Sequence, residues 1–317
     1  MKKKNFNILI SCFTSKKFPL LNLLIESKDR INNKIKIFVG NKNFNQFANF
    51  FRDQCLIIPE YKDVNKKKIL KILKEKNIKL VFPTSDLELL FWSKNKNYFY
   101  KNNIIIMISD FDSIKLCSDK LKFANFCNLY NIPAIKILSP SEALRSNSAL
   151  VVKERFSIHK NKIILNEKYK CISNTLKNFN EPILQRYIHG SEISIDAFIS
   201  EKNKVIGIVL RKRDLVIDGE SKISTIIRNS NLEREFTKYF ESMNLTGLVM
   251  MQCIISNKKV HIIECNPRIG GASTLSIQYG LDIFYWFIKK TLNKNFKPVF
   301  KRNNRHIQYR LPTDFYL

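Results

Sequence analysis

The sequence lacks the features that mark membrane and secreted proteins. It holds no run of about 18 apolar residues, the length at which a transmembrane helix is expected. The basic start Met1–Lys4 is followed by an apolar stretch around Ile8–Ile10 that is too short for a secretory signal, and no small-residue cleavage site follows it. We therefore expect a cytoplasmic protein with no membrane partner.

Cysteine and histidine form no pattern that indicates a known site. The seven cysteines include no C-x-x-C pair, and most of them lie in apolar runs such as Cys55–Ile58. A scattered, odd number of cysteines is typical of reduced and buried thiols, and no partner base for a catalytic cysteine is evident. The four histidines show no zinc-ligand spacing, so we do not expect zinc.

Length and composition indicate a globular protein. The 317 residues correspond to two domains of about 150 residues each. The content of 44% hydrophobic and 26% charged residues is ordinary for folded proteins. These values exclude the disordered, collagen-like and low-complexity classes.

The charge is strongly one-sided. There are 55 Lys and Arg residues against 27 Asp and Glu residues, which leaves a formal net charge of +28. Such a charge would attract nucleic acid or an anionic surface. However, it is spread along the whole chain, and no aromatic–basic repeat accompanies it. We predict no nucleic-acid partner and a general attraction for phosphate ligands, and a basic nucleic-acid-binding protein remains an alternative.

The first third of the chain alternates short apolar runs with helical patterns. This alternation predicts a parallel sheet covered by helices on both faces, with ligands at the carboxyl ends of the strands. The loop Pro83–Glu88 follows one of these strands, although the absence of G-x-G-x-x-G argues against a dinucleotide site. The predicted strands are 7–10, 35–39, 55–58, 79–82 and 104–108, and the predicted helices are 67–76 and 87–93.

The pattern changes near residues 109–113. One long helix is predicted over 112–130, closed by Pro133, and strands of period two follow it. We therefore expect an antiparallel-rich α+β half after this boundary. Its predicted elements are strands at 192–197 and 205–211, helices at 231–243 and 282–292, and a hairpin of 248–255 with 260–265.

The hairpin ends in the polar segment Glu264-Cys265-Asn266-Pro267-Arg268. Glu264 and Asn266 are two residues apart on a strand, so both face one side, and their oxygens suit Mg²⁺. Pro267 ends strand pairing, and Arg268 then faces the same pocket as a clamp for phosphate or carboxylate. The alternative is an ordinary hairpin end with a surface salt bridge.

Gln252 lies on the partner strand of this hairpin. A turn of Asn257–Lys259 would place Gln252 opposite Glu264 and add a third oxygen ligand. A two-residue turn would instead place Gln252 on the other face. The register of the hairpin therefore tests the predicted metal site.

Two lysines and one polar linker precede the hairpin. Lys120 lies in the long predicted helix, and a lysine in so basic a chain is usually a solvated cation. Lys153 differs because it continues the apolar strand 149–152, where a buried ammonium needs an anionic partner such as a nucleotide phosphate. The segment Pro182–Glu192 offers exposed backbone to a purine edge and a carboxylate to ribose, or it is simply a strand, a Gly turn and a strand.

Five of these segments, in this order, resemble motifs of the ATP-grasp superfamily, above all ligases similar to the carbamoyl-phosphate synthase large subunit. The resemblance covers nearly the whole chain. The matching segments are Val81–Leu89 for the P-T-x-D-x-E-L loop, Cys117–Phe123 for the D-K-x-x-F helix, Leu150–Lys153 for the phosphate-lysine strand, Gln185–Glu192 for the adenine hinge, and Glu264–Arg268 for the E-x-N-P-R metal strand.

The resemblance implies a fold and a domain division. The implied fold is α/β, with a Rossmann-like pre-ATP-grasp domain at 1–111 followed by a two-lobed α+β ATP-grasp domain at 112–317. The small lobe would span 112–184 and the large lobe 185–317.

The resemblance also implies a role for each matching residue. Lys120 and Lys153 would hold the ATP phosphates. Glu192 would bind the ribose, and Arg268 would contact the transferring phosphate or the acyl phosphate. One or two Mg²⁺ ions, or Mn²⁺ in their place, would be bound by Gln252, Glu264 and Asn266. Adenine would be bound by the backbone of Gln185, Arg186, Tyr187 and Ile188.

The implied activity is an ATP- and Mg²⁺-dependent ligase that forms ADP and phosphate. It would activate a small carboxylate as an acyl phosphate for attack by an amine or similar nucleophile, behind a closing lid. A homodimer is common among such relatives. The segment Arg211–Ser221 resembles a substrate-side loop of such ligases, and its cations would suit a carboxylate substrate. The alternative is that this segment is an exposed basic strand end.

One departure from the family pattern stands out. Many relatives have a Gly-rich loop that covers the phosphates, whereas Glu154–Lys160 contains no glycine. Backbone amides approach phosphates less freely beside bulky residues, so Ser157, His159 and Lys160 would have to donate by side chain. The departure supports an alternative function, an ATP-binding regulatory module without ligase turnover.

Overall fold

The computed structural model describes residues 6–32, 34–43, 55–146, 148–156, 163–172, 174–293 and 295–311. Within these ranges no helix has both the length and the apolar character needed to cross a membrane.

The N-terminal domain is a parallel sheet with helices on both faces, as the sequence predicts. Its five strands lie in the order β3-β2-β1-β4-β5, and every adjacent pair is parallel. The elements are β1 (Asn7–Ile10), α1 (Phe18–Asp29), β2 (Ile37–Asn41), β3 (Cys55–Ile57), α2 (Lys66–Glu75), β4 (Ile78–Phe82), α3 (Asp86–Lys94), α4 (Lys96–Lys101) and β5 (Ile105–Ile106).

Apolar patterning accounts for these elements. The central strand β1 is almost wholly buried, as expected for a strand covered on both faces. Helix α2 buries only Ile69, Leu70 and Leu73, which form one stripe, and its lysines face solvent. The loop that follows β4 therefore emerges at the carboxyl edge of a rigid sheet.

The prediction of a single helix over 112–130 is wrong, because the helical backbone is interrupted at Asp119. Two helices, α5 (Phe111–Ser118) and α6 (Lys120–Leu129), flank this residue, whose backbone is extended. The Asp119 carboxylate accepts hydrogen bonds from the backbone N–H groups of Leu121 and Lys122, so it acts as the N-cap of α6. The break makes Lys120 the first residue of α6.

A four-stranded antiparallel sheet forms the small lobe, in the order β6-β9-β7-β8. The predicted lobe boundary at 184/185 falls inside its strand β9, all of which belongs to this sheet. The elements are β6 (Ile137–Leu138), α7 (Pro140–Ser146), β7 (Leu150–Glu154), β8 (Ile163–Glu167), α8 (Tyr169–Ile172) and β9 (Pro182–Arg186).

A six-stranded antiparallel sheet forms the large lobe, in the order β14-β13-β10-β11-β12-β15. This architecture confirms the predicted α/β fold with an antiparallel second half. The elements are β10 (Ser191–Ile199), β11 (Val205–Ile217), β12 (Glu220–Ile227), α9 (Ser230–Glu241), β13 (Gly247–Ser256), β14 (Lys259–Asn266), α10 (Ser273–Tyr279), α11 (Ile283–Leu292) and β15 (Ile307–Tyr309).

The β13–β14 hairpin has the predicted register, but its register depends on a bulge that was not predicted from the sequence. Ser256 pairs with Lys259, so the turn has two residues, which by itself would set Gln252 opposite Ile263. A bulge skips Ile263, and Gln252 pairs with Glu264. The pairing of Gln252 with Glu264 is confirmed, although the turn is the two-residue alternative, which without the bulge would place Gln252 on the other face.

The N-terminal domain packs on the large lobe through an apolar junction. The Phe82 ring lies 5.0 Å from that of Phe284 and 5.5 Å from that of Phe287, centroid to centroid, in edge-on contacts. Arg30, which follows α1, donates two hydrogen bonds of 2.7 Å to the Asp282 carboxylate beside α11. The carboxyl end of β4 is thereby held against the lobe that carries β14.

The two-residue turn of this hairpin yields a stability prediction. Asn257 and Lys258 both have positive φ angles, of 47° and 61°. This backbone conformation is energetically unfavourable for a lysine but not for a glycine. Lys258→Gly should therefore raise the free energy of unfolding by about 0.5–1 kcal/mol in urea titrations. The control Lys259→Gly, in the strand, should lower it, and a stabilising effect of both variants would contradict the turn geometry.

Candidate functional site

Three oxygen-bearing side chains converge on the polar face of β13 and β14. Glu264 Oε1 accepts a hydrogen bond of 2.8 Å from Asn266 Nδ2. With the Gln252 amide oriented to satisfy both neighbours, its nitrogen donates to Glu264 Oε1 at 2.8 Å and its oxygen accepts from Arg213 Nη1 at 3.1 Å. A cation seated between Gln252 and Glu264 would turn that amide by half a rotation, so that its oxygen faces the cation.

The donor set is poor in carboxylates. Among the described residues there is no group of three or more His, Cys, Asp or Glu side chains that could hold a metal ion. Glu264 is the single carboxylate beside the amides of Gln252 and Asn266, and oxygen donors of this kind suit Mg²⁺. Such a set would bind a metal well only with further oxygens, such as those of phosphates.

Lys120 and Lys153 both reach this face, and both are buried. Lys120 Nζ lies 3.9 Å from Glu264 Oε2. Lys153, in β7, is 8% exposed. Burial lowers the pKa of Lys153 from 10.5 to about 8, and although the Glu264 carboxylate opposes this fall, repulsion by Lys120 adds to it.

The two lysines in turn act on Glu264. Burial alone would raise the pKa of this carboxyl, yet the charges of Lys153 and Lys120 outweigh burial and hold the pKa of Glu264 below its usual value. Glu264 thus lies beside two buried cations, and the Glu192 carboxylate also acts on Lys153. Two ammonium groups brought together in this way are suited to a polyanion such as a triphosphate.

The four predicted adenine-hinge residues, 185–188, end β9 and leave the small lobe. The backbone N–H of Tyr187 donates to the Ala149 carbonyl at 2.8 Å, so it is used within the sheet and cannot contact adenine. Arg186 is the last residue of β9, and Ile188 lies beyond the strand. Gln185 is buried, and its side chain donates to the Ile135 carbonyl at 2.8 Å.

The predicted ribose carboxylate, Glu192, is partly exposed at the start of β10. It forms an ion pair with Arg213 Nη1, and Arg213 Nη2 donates to the Gly219 carbonyl at 2.7 Å. Arg213 therefore joins Glu192 to Gln252, which links the predicted ribose and metal positions. Arg213 was included among the cations of the predicted substrate-side segment, but its contact with Glu192 was not predicted.

Arg211 is unavailable to a substrate. It is 1% exposed, and its Nε donates to Asp196 Oδ2 at 2.7 Å and to Ser276 Oγ at 3.2 Å. The pair is buried inside the large lobe. The expectation that the cations of 211–221 face a carboxylate substrate therefore fails for this residue.

Arg268 forms a bidentate ion pair with a residue of the N-terminal domain, Asp86. Its Nε and Nη2 donate to the two oxygens of Asp86 at 2.7 and 2.6 Å. Burial would lower the pKa of Arg268, but the Asp86 carboxylate outweighs it and raises that pKa. The sequence motif placed Asp86 in a loop of interest, but nothing in the sequence predicted its partner.

The first two residues of the glycine-free segment, Glu154 and Arg155, form hydrogen bonds within the protein. The Glu154 carboxylate accepts from the backbone N–H groups of Asn180 and Glu181. Arg155 donates to both oxygens of Asp119. Ser157, His159 and Lys160, which were predicted as side-chain donors, lie outside the described residues.

Two family models match the chain. A model described as "ATP-grasp in the biosynthetic pathway with Ter operon" matches residues 178–312. A model described as "PylC-like, N-terminal domain" matches residues 8–107. The two matches fall on the large lobe and on the parallel-sheet domain.

Individual relatives agree with these matches. The carbamoyl phosphate synthase large chain of Clostridium acetobutylicum is 24% identical over 67% of this chain, and the chain spans only 22% of that relative. The biotin carboxylase domain of Hydrogenobacter thermophilus 2-oxoglutarate carboxylase, solved with MgADP and bicarbonate, has a TM-score of 0.72 at 14% identity, over 97% of this chain and 75% of that chain.

A second solved structure has a similar fold. N5-carboxyaminoimidazole synthetase from Staphylococcus aureus, complexed with ADP, has a TM-score of 0.70 at 15% identity, over 95% of this chain and 81% of that chain. At these identities the likeness shows a shared fold.

The lowered pKa of Lys153 predicts a pH-dependent stability. Between about pH 8 and pH 10.5 the unfolded chain holds a proton on Lys153 that the folded chain has lost, so stability rises with pH across this window. Lys153→Met should remove this rise and stabilise the protein near pH 7 by up to about 3 kcal/mol. Urea unfolding at several pH values measures both effects.

The matched control is Lys212→Met, because Lys212 is a strand lysine whose side chain is 48% exposed. It should keep the pH dependence of the unaltered protein. A Lys153→Met protein that kept the same pH dependence would show that Lys153 titrates normally.

Proposed function

We propose that this chain, which carries an ATP-grasp domain, is an ATP- and Mg²⁺-dependent ligase that activates a carboxylate as an acyl phosphate. An amine or a similar nucleophile would then attack this acyl phosphate. The observation that carries the proposal is the convergence of two buried lysines, Lys120 and Lys153, on a face that also bears Glu264, Asn266 and Gln252.

The residues present fit a magnesium nucleotide. The two ammonium groups of Lys120 and Lys153 suit a polyphosphate, and Glu264 with two amides supplies part of an oxygen coordination shell. Gln252, Glu264 and Asn266 would hold Mg²⁺, or Mn²⁺ in its place. When bound, the metal would neutralise charge on the phosphates.

The remaining site residues would bind the rest of the nucleotide. The main chain of Arg186 and Ile188 would contact adenine, and Glu192 would accept hydrogen bonds from ribose after exchanging part of its contact with Arg213. Lys120 at the start of α6 and Lys153 near the end of β7 would hold the phosphates from two different elements. This arrangement would fix the γ-phosphate for in-line attack.

Phosphoryl transfer to a carboxylate needs positioning and charge neutralisation rather than a covalent protein intermediate. The carboxylate oxygen attacks the γ-phosphorus, the bond to the bridging oxygen breaks, and ADP leaves with the electron pair. The guanidinium of Arg268 would stabilise charge on the transferring group. The amine then attacks the acyl carbon and releases phosphate.

A second candidate function rests on the glycine-free segment 154–160. A module that binds Mg-ATP without transferring its phosphate would not need the backbone of this segment to approach the phosphates closely. The two candidates predict the same nucleotide binding and differ in acid-dependent ADP formation. A screen of acid and amine pairs with Mg-ATP distinguishes them.

Glu264→Gln tests the metal strand without knowledge of the substrate. Loss of the carboxylate charge should weaken Mg-ATP binding by about tenfold or more, whereas ATP binding in excess chelator should not weaken, because a negative charge beside Lys120 and Lys153 is removed. Calorimetric titration with and without Mg²⁺ measures both values. Acid-dependent ADP formation, once a substrate pair is found, should fall at least about 100-fold.

Glu201→Gln is the control, because Glu201 is 65% exposed and pairs with Lys290 on the surface. It should bind Mg-ATP like the unaltered protein. Unchanged Mg²⁺-dependent binding in Glu264→Gln would remove the metal strand from the proposal.

A further inference from the structure

We propose that Asp86 of the N-terminal domain is a positioning residue, which orients Arg268 of the large lobe toward the transferring phosphoryl group. This inference rests on the proposed function and adds to it a residue from outside the ATP-grasp domain. The N-terminal domain would then complete the active site rather than only flank it.

The geometry of the pair supports this role. Asp86 and Arg268 are 182 positions apart, and their side chains are 25% and 20% exposed. A bidentate contact fixes the plane of a guanidinium as well as its distance. It uses two of the five N–H groups, and within the described part of the chain the other three have no hydrogen-bond partner, so they are available to a ligand.

Asp86 is itself held rigidly. It is the first residue of α3, whose N-terminus favours a carboxylate, and Ser85 and Glu88 form a capping box around it. The buried Glu88 carboxylate accepts from the backbone N–H of Thr84 at 2.7 Å and from Trp92 Nε1 at 2.8 Å.

The same loop is tied to the end of β1. Thr84 Oγ1 donates to the Ser11 carbonyl at 2.5 Å and accepts from Lys17 Nζ at 2.8 Å. The loop also follows Phe82, which packs on Phe284 of the large lobe. Asp86 therefore has little freedom to follow Arg268, and Arg268 must adapt to Asp86.

Two roles for Asp86 predict opposite effects when its charge is removed. If Asp86 were only a negative charge beside Arg268, Asp86→Asn would strengthen the binding of an anion there. If it positions Arg268, the same change releases the guanidinium and weakens that binding. The sign of the effect therefore decides between the two roles.

The experiment uses Mg-ADP with aluminium fluoride, which stands in for the transferring phosphoryl group. In calorimetric titrations of the full chain, aluminium fluoride should tighten Mg-ADP binding. Asp86→Asn should reduce this tightening about tenfold and leave the affinity for Mg-ADP alone within about twofold. In an Arg268→Ala background, Asp86→Asn should have no further effect, because its action passes through Arg268.

Asp63→Asn is the matched control, since Asp63 is an aspartate of the same domain that pairs with Lys94 on the surface. If Asp86→Asn does not fold by circular dichroism and thermal melting, Arg268→Lys replaces it, because lysine keeps the charge but cannot make the bidentate contact. An unchanged or increased tightening, or additive effects with Arg268→Ala, would overturn the role of Asp86. A chain that binds no Mg-ADP at all would instead overturn the proposed function.

Discussion

The candidate site depends on two buried cations that lie close together. Lys120 and Lys153 both lie in the low-exposure region around Glu264, and their charges repel each other, although the carboxylates of Glu264 and Glu192 favour the charged form of Lys153. Such an arrangement costs stability in the free protein, since burial penalises each charge. It persists because the surrounding sheets fix it, and it is the physical reason to expect an anionic ligand there.

Two local irregularities bring the site together. The extended backbone at Asp119 ends α5 and starts α6, which moves Lys120 from the middle of a helix to its first residue. The bulge at Ile263 shifts one strand by one position, which brings Gln252 onto the face of Glu264. Without either one, a predicted ligand would point away from the others.

The domains are joined by apolar and charged contacts that serve different purposes. The ring cluster of Phe82, Phe284 and Phe287 fixes the N-terminal sheet against the large lobe. The contact between Asp86 and Arg268 extends this junction to the segment that follows β14. A rigid junction is what allows a loop of one domain to orient a side chain of the other.

Apolar periodicity and motif spacing are local properties, so the amino-acid sequence was enough to predict the α/β class, most strand and helix positions and the candidate side chains of the site. What these side chains contact depends on residues that are distant in sequence. Asp119 contacts Arg155, which follows β7, and Arg211 is buried against Asp196. The Arg268 contact joins positions 182 residues apart, and no local pattern encodes such a distance.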